Sequence, residues 1–363
     1  MVIQSFDTCR VRIPLKRPFV TAIRTTAIME AVRVILRCKN EEEGFGEAPA
    51  SALITGETLP SIEEAITAYI GPAIVGRCVD GDLGSIIQSS IQGNSSAKAA
   101  VEMAWQDLRA QKSNIPLYRL LTENDSDVKR TLANDITISA GKLECMTFAA
   151  ISAIEAGFSM LKIKTGSDPV TDSQNLISLY NNIKNGFDPK NKIRVDANQG
   201  WSPRQAIGII RALEDAGIPI DLVEQPVPAW DLDGLLEVSS STSLPIAADE
   251  SVFSPQDALL CIQKRAAQII NIKLMKSGGI GPALDICGLC RVYGLECMIG
   301  CMMEGQLSTA AAAHLAASQP IITRVDLDSP LLCADGFYSG GPAFCGPDIK
   351  LSDCPGIGTR PIL

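Results

Sequence analysis

From about residue 132 the chain alternates short apolar runs with amphipathic stretches, and no other feature limits its possible folds as much. The apolar runs are Leu132–Ser139, Ser159–Lys164, Lys192–Asp196, Asp221–Gln225, Pro245–Asp249, Gln268–Lys273, Glu296–Gly300 and Ile321–Asp326. Helical patterns lie between them, among them Cys145–Ala156, Pro203–Asp215, Pro255–Lys264, Gly281–Tyr293 and Gly305–Ala317. Buried strands joined by crossover helices pair in parallel. Eight such units at a spacing of roughly 25 residues read as a β/α barrel. A doubly wound open sheet is the alternative, but no glycine-rich dinucleotide fingerprint follows any of the strands. The expected fold class is α/β, with the barrel over residues 126–328.

Residues 1–125 read differently. Val11–Leu15, Ala31–Cys38 and Gly44–Ala48 look like strands, the first two joined by a long loop, Lys16 to Thr26. Helical patterns follow at Ser61–Ile70, Leu83–Ile91 and Ser96–Lys112, the last capped by Ser95 or Ser96 and carrying Ala97, Ala99, Ala100 and Ala104 on one face. Strands followed by helices describe an α+β module that covers something else. The glycine- and proline-rich stretch 329–363 is expected to pack back on it.

The net charge of −9 argues against nucleic acid or an anionic membrane as partner, since both reward clustered Lys and Arg. No apolar run approaches the ~18 residues needed to span a bilayer, and residues 1–7 lack the layout of a signal peptide. A soluble, cytoplasmic protein is expected. The twelve cysteines are scattered through apolar runs rather than spaced as a disulfide framework. Cys287 and Cys290 share a helical pattern while Cys297 falls in the next strand, so they read as small hydrophobes rather than a zinc site. The single histidine, His314, lies inside an alanine-rich helix and reads as packing.

Chemistry in a β/α barrel sits at the C-terminal ends of the strands. Lys162 and Lys164 end the second strand here, Asp196 the third, Glu224 the fourth, Asp249 the fifth and Lys273 the sixth. Each alone could be a solvated strand terminator; five in succession are hard to obtain that way. Three carboxylates without histidine or thiolate nearby form a hard-oxygen site suited to Mg²⁺. Lysines beside them can act as acid or base, with burial and a neighbouring cation lowering their pKa. The set suits removal of a proton α to a carboxylate, with the cation neutralising charge that develops on the carboxylate oxygens.

Lys162-Ile163-Lys164, Asp196-Ala197-Asn198, Glu224-Gln225-Pro226, Asp249-Glu250-Ser251 and Asn271-Ile272-Lys273 together resemble the enolase superfamily, in its muconate-lactonizing subgroup. The likeness covers nearly the whole chain, including Gly44-Phe45-Gly46-Glu47-Ala48-Pro49 in the capping module. It implies an enolase-like modified TIM barrel. Within the subgroup the chain is most similar to dipeptide epimerases of the L-Ala-D/L-Glu type. Asp326-Leu327-Asp328 is similar to their DxD, whose aspartates bind the substrate ammonium, and Arg24 to a loop arginine that pairs with the substrate's glutamate side chain.

By this resemblance Asp196, Glu224 and Asp249 hold one Mg²⁺, and Lys164 and Lys273 exchange protons on opposite faces of Cα through an enediolate. Lys162 polarises the carboxylate, and Met303 at the end of the seventh strand lines the side-chain pocket. Murein-peptide metabolism and a homo-oligomer are further expectations carried by the likeness alone. Lys276 is a rival to Lys273 but falls in the loop beyond the strand. Muconate cycloisomerase or o-succinylbenzoate synthase chemistry is the alternative on this scaffold; such substrates lack an amine and would leave Asp326 and Asp328 unpaired. A non-catalytic metal-binding scaffold is the remaining reading, disfavoured because it has no need of buried lysines.

Overall fold

The computed structural model describes residues 1–20, 25–39, 41–122, 124–166 and 168–362. It begins with an antiparallel sheet of β1 (Ile3–Val20), β2 (Thr25–Cys38) and β3 (Glu43–Pro49), in that order. β1 and β2 pair well beyond the expected strands, to Phe19 opposite Thr26 and Val20 opposite Thr25, past an irregularity between Pro14 and Phe19. Most of the expected 16–26 loop is therefore hairpin, and Arg24 lies outside the described residues.

Helix Ser95–Lys112 packs on this sheet, and its alanine face explains how closely. A Cβ at Gly46 would stand 1.8 Å from the carbonyl oxygen of Ala100, so only a glycine strand edge lets the two backbones meet. The helix does not begin as its serines suggest. Asn94 is the cap residue, in the left-handed region at φ 53°, and its side chain makes no capping bond. Glu57 takes that role from a distance in sequence: its carboxylate accepts from the backbone N–H of Ser96 (2.9 Å) and of Ala97 (3.1 Å).

The stretch expected as one strand over 132–139 is two. β4 (Thr131–Ala133) pairs antiparallel with Asp348–Lys350 in the C-terminal region, and β5 (Ile136–Ile138) opens the barrel. Seven more strands follow: β6 (Met160–Lys164), β7 (Lys192–Asp196), β8 (Ile220–Glu224), β9 (Ile246–Ala248), β10 (Ile269–Ile272), β11 (Glu296–Gly300) and β12 (Ile322–Asp326). The eight form one parallel sheet in chain order. Helices Pro203–Asp215 and Pro255–Lys264 start where a serine cap precedes proline, the arrangement that leaves fewest orphaned N–H groups.

Side chains bridge the seam between β12 and β5. Asn134 Oδ1 accepts from the N–H of Leu327 at 2.8 Å, and Asp328 Oδ2 accepts from the N–H of Thr137 at 2.7 Å. Inside the barrel, Leu222, Ala247, Ile269 and Met298 form a small apolar cluster of their own. Each lies two residues before an inward-facing position at the strand end, so the strand pleat puts that cluster directly beneath the polar mouth.

The C-terminal region clasps the capping module. The buried Asp107 carboxylate accepts from the N–H of Ile357 (2.7 Å) and from Arg360 Nη1 (2.9 Å). Tyr338 Oη donates to Glu47 at 2.8 Å. No helix among the described residues is long and apolar enough to cross a membrane. Cys261, Cys287, Cys290 and Cys297 are free thiols buried in the apolar core.

Candidate active site

The period-2 pleat of β6 sends Leu161 and Ile163 outward into the apolar core and Lys162 and Lys164 toward the barrel interior. Lys162, 1% exposed, lies among three acids: Asp326 Oδ2 at 2.6 Å, Glu224 Oε2 at 2.8 Å and Asp196 Oδ2 at 3.1 Å. Lys164 pairs with Asp196. Across the mouth, Lys273 Nζ contacts Asp249 Oδ2 at 2.6 Å. The end of β11 is Gly300, whose Cβ would stand 3.1 Å from Lys273 Cε and 2.8 Å from Asn271 Oδ1, so glycine clears space for both side chains.

A single cavity of about 60 Å³ is lined by Lys162, Lys164, Asp249, Lys273, Asp326 and Asp328, with Met303 among its apolar walls. It is small because the charged groups fill it with one another. Met302 and Met303 separate it from a cavity of about 370 Å³ beneath β2 that Thr25, Thr26 and Ser51 help to line. Asp196 and Glu224 do not line the first cavity but lie directly behind its lysines.

Burial works against every charge here, and neighbours decide the outcome. It opposes the Asp196 carboxylate, yet Lys164 and Lys162 hold that group down at about 2. Asp249 is likewise opposed by burial and still held well below the usual range by Lys273 and Lys276. Burial and the charge of Asp196 push Glu224 up to about 7. Lowered lysine pKa values were expected from burial and a neighbouring cation. Burial does oppose the charge of Lys273 and Lys162, but nearby carboxylates outweigh it and both groups are raised. Lys276 is lowered, with burial outweighing the pull of Asp249 and Lys273 adding to it.

Lys276 is not simply a loop residue. It sits in the one-turn helix Leu274–Ser277, is 3% exposed, and donates to Asp249 Oδ1 at 2.6 Å and to the carbonyl of Asn271 at 3.0 Å. It braces Asp249 from behind, and Lys273 is the lysine that reaches the cavity. The aspartates of the eighth strand also have partners already: Asp326 has Lys162, and Asp328 has the Thr137 amide. An amine-free substrate would therefore not strand them unpaired, contrary to the sequence-based expectation. Burial and Asp326 still push Asp328 up to about 6, a group that an added cation would favour in its charged form.

Among the described residues no three acidic, thiol or imidazole groups converge at metal-ligand spacing, and lysine ammonium groups stand among the carboxylates. The donor set nonetheless fits a hard divalent cation. It is oxygen-only, and Asp196, Glu224 and Asp249 are carboxylates at most 1% exposed whose charges are met by lysine ammonium groups. Sequence reasoning missed Thr137, Asn198, Glu250, Cys301 and Ser329 as cavity residues. Asn198 and Glu250 were within reach of it, since each lies within two positions of an expected metal ligand.

The family described as "Enolase C-terminal domain-like" matches residues 146–362, and "Mandelate racemase / muconate lactonizing enzyme, N-terminal domain" matches residues 5–122. The chain belongs to the enolase superfamily. Within it, the L-Ala-D/L-Glu epimerase of Clostridium acetobutylicum is 43% identical over 365 residues, covering 100% of this chain and 99% of the relative. A substrate-liganded complex of the L-Ala-D/L-Glu epimerase from Bacillus subtilis superposes with TM-score 0.95 at 42% identity, covering 100% of both chains. The dipeptide epimerase of Enterococcus faecalis, complexed with Mg and L-Leu-L-Tyr, gives TM-score 0.93 at 36% identity, with 99% of this chain and 100% of that chain covered.

Proposed function

We propose that this protein is a Mg²⁺-dependent dipeptide epimerase, an isomerase that inverts Cα of the C-terminal residue of its substrate, with L-Ala-L-Glu and L-Ala-D-Glu as the first pair to test. One observation carries it: two buried lysines, Lys164 and Lys273, end at a common cavity from strands four apart in an eight-strand order, on opposite sides of the barrel mouth. Two such groups can address opposite faces of one carbon. One removes the α-proton, the other returns a proton from the far side, and the roles exchange for the reverse reaction.

Asp196, Glu224 and Asp249 would hold the cation, which when bound supplies charge neutralisation at the substrate carboxylate. Lys164 and Lys273 then leave their present aspartate partners for the substrate. Lys162 stays cationic among its three carboxylates and offers its charge to the substrate carboxylate. Asp326 and Asp328 supply negative charge for the substrate ammonium. Met303 shapes the side-chain pocket, and Arg24 is assigned the distal carboxylate of a C-terminal glutamate. Cytoplasmic turnover of murein peptides is the setting this reading carries.

Incubation in D₂O tests it. Deuterium is expected at Cα of the C-terminal residue, with epimerisation abolished in Lys164→Ala and in Lys273→Ala. Unchanged exchange in both variants would overturn the acid/base assignment.

A further inference from the structure

Two side chains in the cavity are unfinished. Asn198 is 9% exposed and Glu250 7% exposed, and both line the cavity beside Asp249 and Lys273. Asn198 Nδ2 donates to Glu250 Oε1 at 3.2 Å. That bond leaves Asn198 Oδ1 and Glu250 Oε2 buried without hydrogen-bond partners. A buried polar atom left unsatisfied is destabilising, so two together in one cavity call for a ligand.

The chemistry of that ligand is narrow. With Glu250 ionised both free atoms are acceptors, and a donor with two hydrogens to give would satisfy them together. A carboxylate cannot serve. The protein's own ammonium groups are engaged elsewhere, Lys164 on Asp196 and Lys273 on Asp249. The pair also neighbours the carboxylates assigned to the cation: Glu250 follows Asp249 in sequence, and the backbone N–H of Asn198 donates to Asp196 Oδ1 at 2.9 Å. A water polarised by a dication is a strong double donor at that location.

We propose that Asn198 and Glu250 jointly hold one water molecule of the bound divalent cation, and thereby decide which side of the cation is left open to the substrate. The proposal rests on the Mg²⁺ reading above. The two are positioning residues: they act through the water and the cation. Groups of this kind typically change metal affinity by about 10–100-fold when altered.

Mg²⁺ titration calorimetry on the substrate-free protein tests this, compared across wild type, Glu250→Gln and Asn198→Gly. Gln keeps the volume of Glu250 but puts an NH2 donor where the second carboxylate oxygen stood, so it cannot accept from Asn198 Nδ2 on one oxygen and from a water on the other. Gly suits position 198, where φ is +42°. Mg²⁺ affinity is expected to fall about tenfold or more in both variants, while the melting temperature of the metal-free Glu250→Gln protein stays at the wild-type value. Water-proton relaxation with Mn²⁺ in place of Mg²⁺ is expected to show altered exchange of a bound water in Glu250→Gln. Wild-type affinity in both variants, with only the dipeptide KM raised, would overturn the proposal and give the pair to the substrate ammonium. Wild-type protein that binds neither Mg²⁺ nor Mn²⁺ would instead refute the cation reading beneath it.

Discussion

His314 is the only histidine in the chain, which makes its titration readable without assignment. It is fully buried in helix Gln306–Ser318. Its Nδ1 accepts from the N–H of Tyr118 at 3.1 Å, its Nε2 lies 3.0 Å from the carbonyl of Ile357, and its ring stacks on Tyr118 at 5.6 Å. The two bonds select the tautomer protonated at Nε2. A second proton would have to go on Nδ1, against an N–H already pointing there. Burial holds the pKa down at about 4, from an ordinary 6.5, with the Ile357 bond partly offsetting it.

The sign follows from proton uptake. Between pH 6.5 and 4 the unfolded chain binds a proton that the folded one refuses, so stability falls as pH falls through this window. The full difference is about 3 kcal/mol, and about 2 kcal/mol of it is already lost at pH 5. Urea unfolding of wild type and His314→Gln at pH 7, 6 and 5 isolates it from the carboxylates, which are common to both. The stability advantage of wild type over the variant should shrink by about 2 kcal/mol from pH 7 to pH 5. The single imidazole resonance should remain in its neutral position at pH 5. An imidazole that titrates near 6.5, or a pH-independent difference between the proteins, would refute the reasoning.

Three further outcomes follow from the packing and the site. Arg194, 4% exposed, holds Asp135 (2.6 Å), Asp221 (2.9 Å) and the Val325 carbonyl (2.9 Å), so Arg194→Met should cost about 3–5 kcal/mol in urea unfolding. A loss below about 1 kcal/mol would show that the barrel interior does not depend on it. Gly46→Ala places a methyl 1.8 Å from the Ala100 carbonyl oxygen, and calorimetry should register a destabilisation of at least 1–3 kcal/mol, unlike Gly208→Ala, where nothing lies nearby. Removal of divalent cations with EDTA should abolish Cα–deuterium exchange, and Mg²⁺ at a hundredfold its Kd should restore it and stabilise the fold by about 2.7 kcal/mol. Full exchange by the EDTA-treated protein would count against any metal role.

The strand–helix alternation was legible because a buried parallel strand has to be apolar and its helix has to be capped. Ser202-Pro203 and Ser254-Pro255 mark helix starts that the structure places at those prolines. The charged strand ends were legible for the same reason, since Lys162, Lys164, Asp196, Glu224, Asp249 and Lys273 break runs that burial would otherwise keep apolar. Those signals are local, carried by residues a few positions apart.

Other features depended on residues far apart in the chain. Glu57 caps a helix that begins some forty positions later. Asp328 spends a carboxylate oxygen on the Thr137 amide because the barrel's first and last strands meet there. Lys276 came to brace Asp249 while Lys273 reached the cavity, although both are lysines of one short segment. Strand-end spacing, and for Asp326 and Asp328 the family resemblance, identified the charged groups expected at the barrel mouth. Their partners, and therefore their pKa values, were decided only when folding set the distances between them, because electrostatic and hydrogen-bond energies depend on separation and burial rather than on order in the chain.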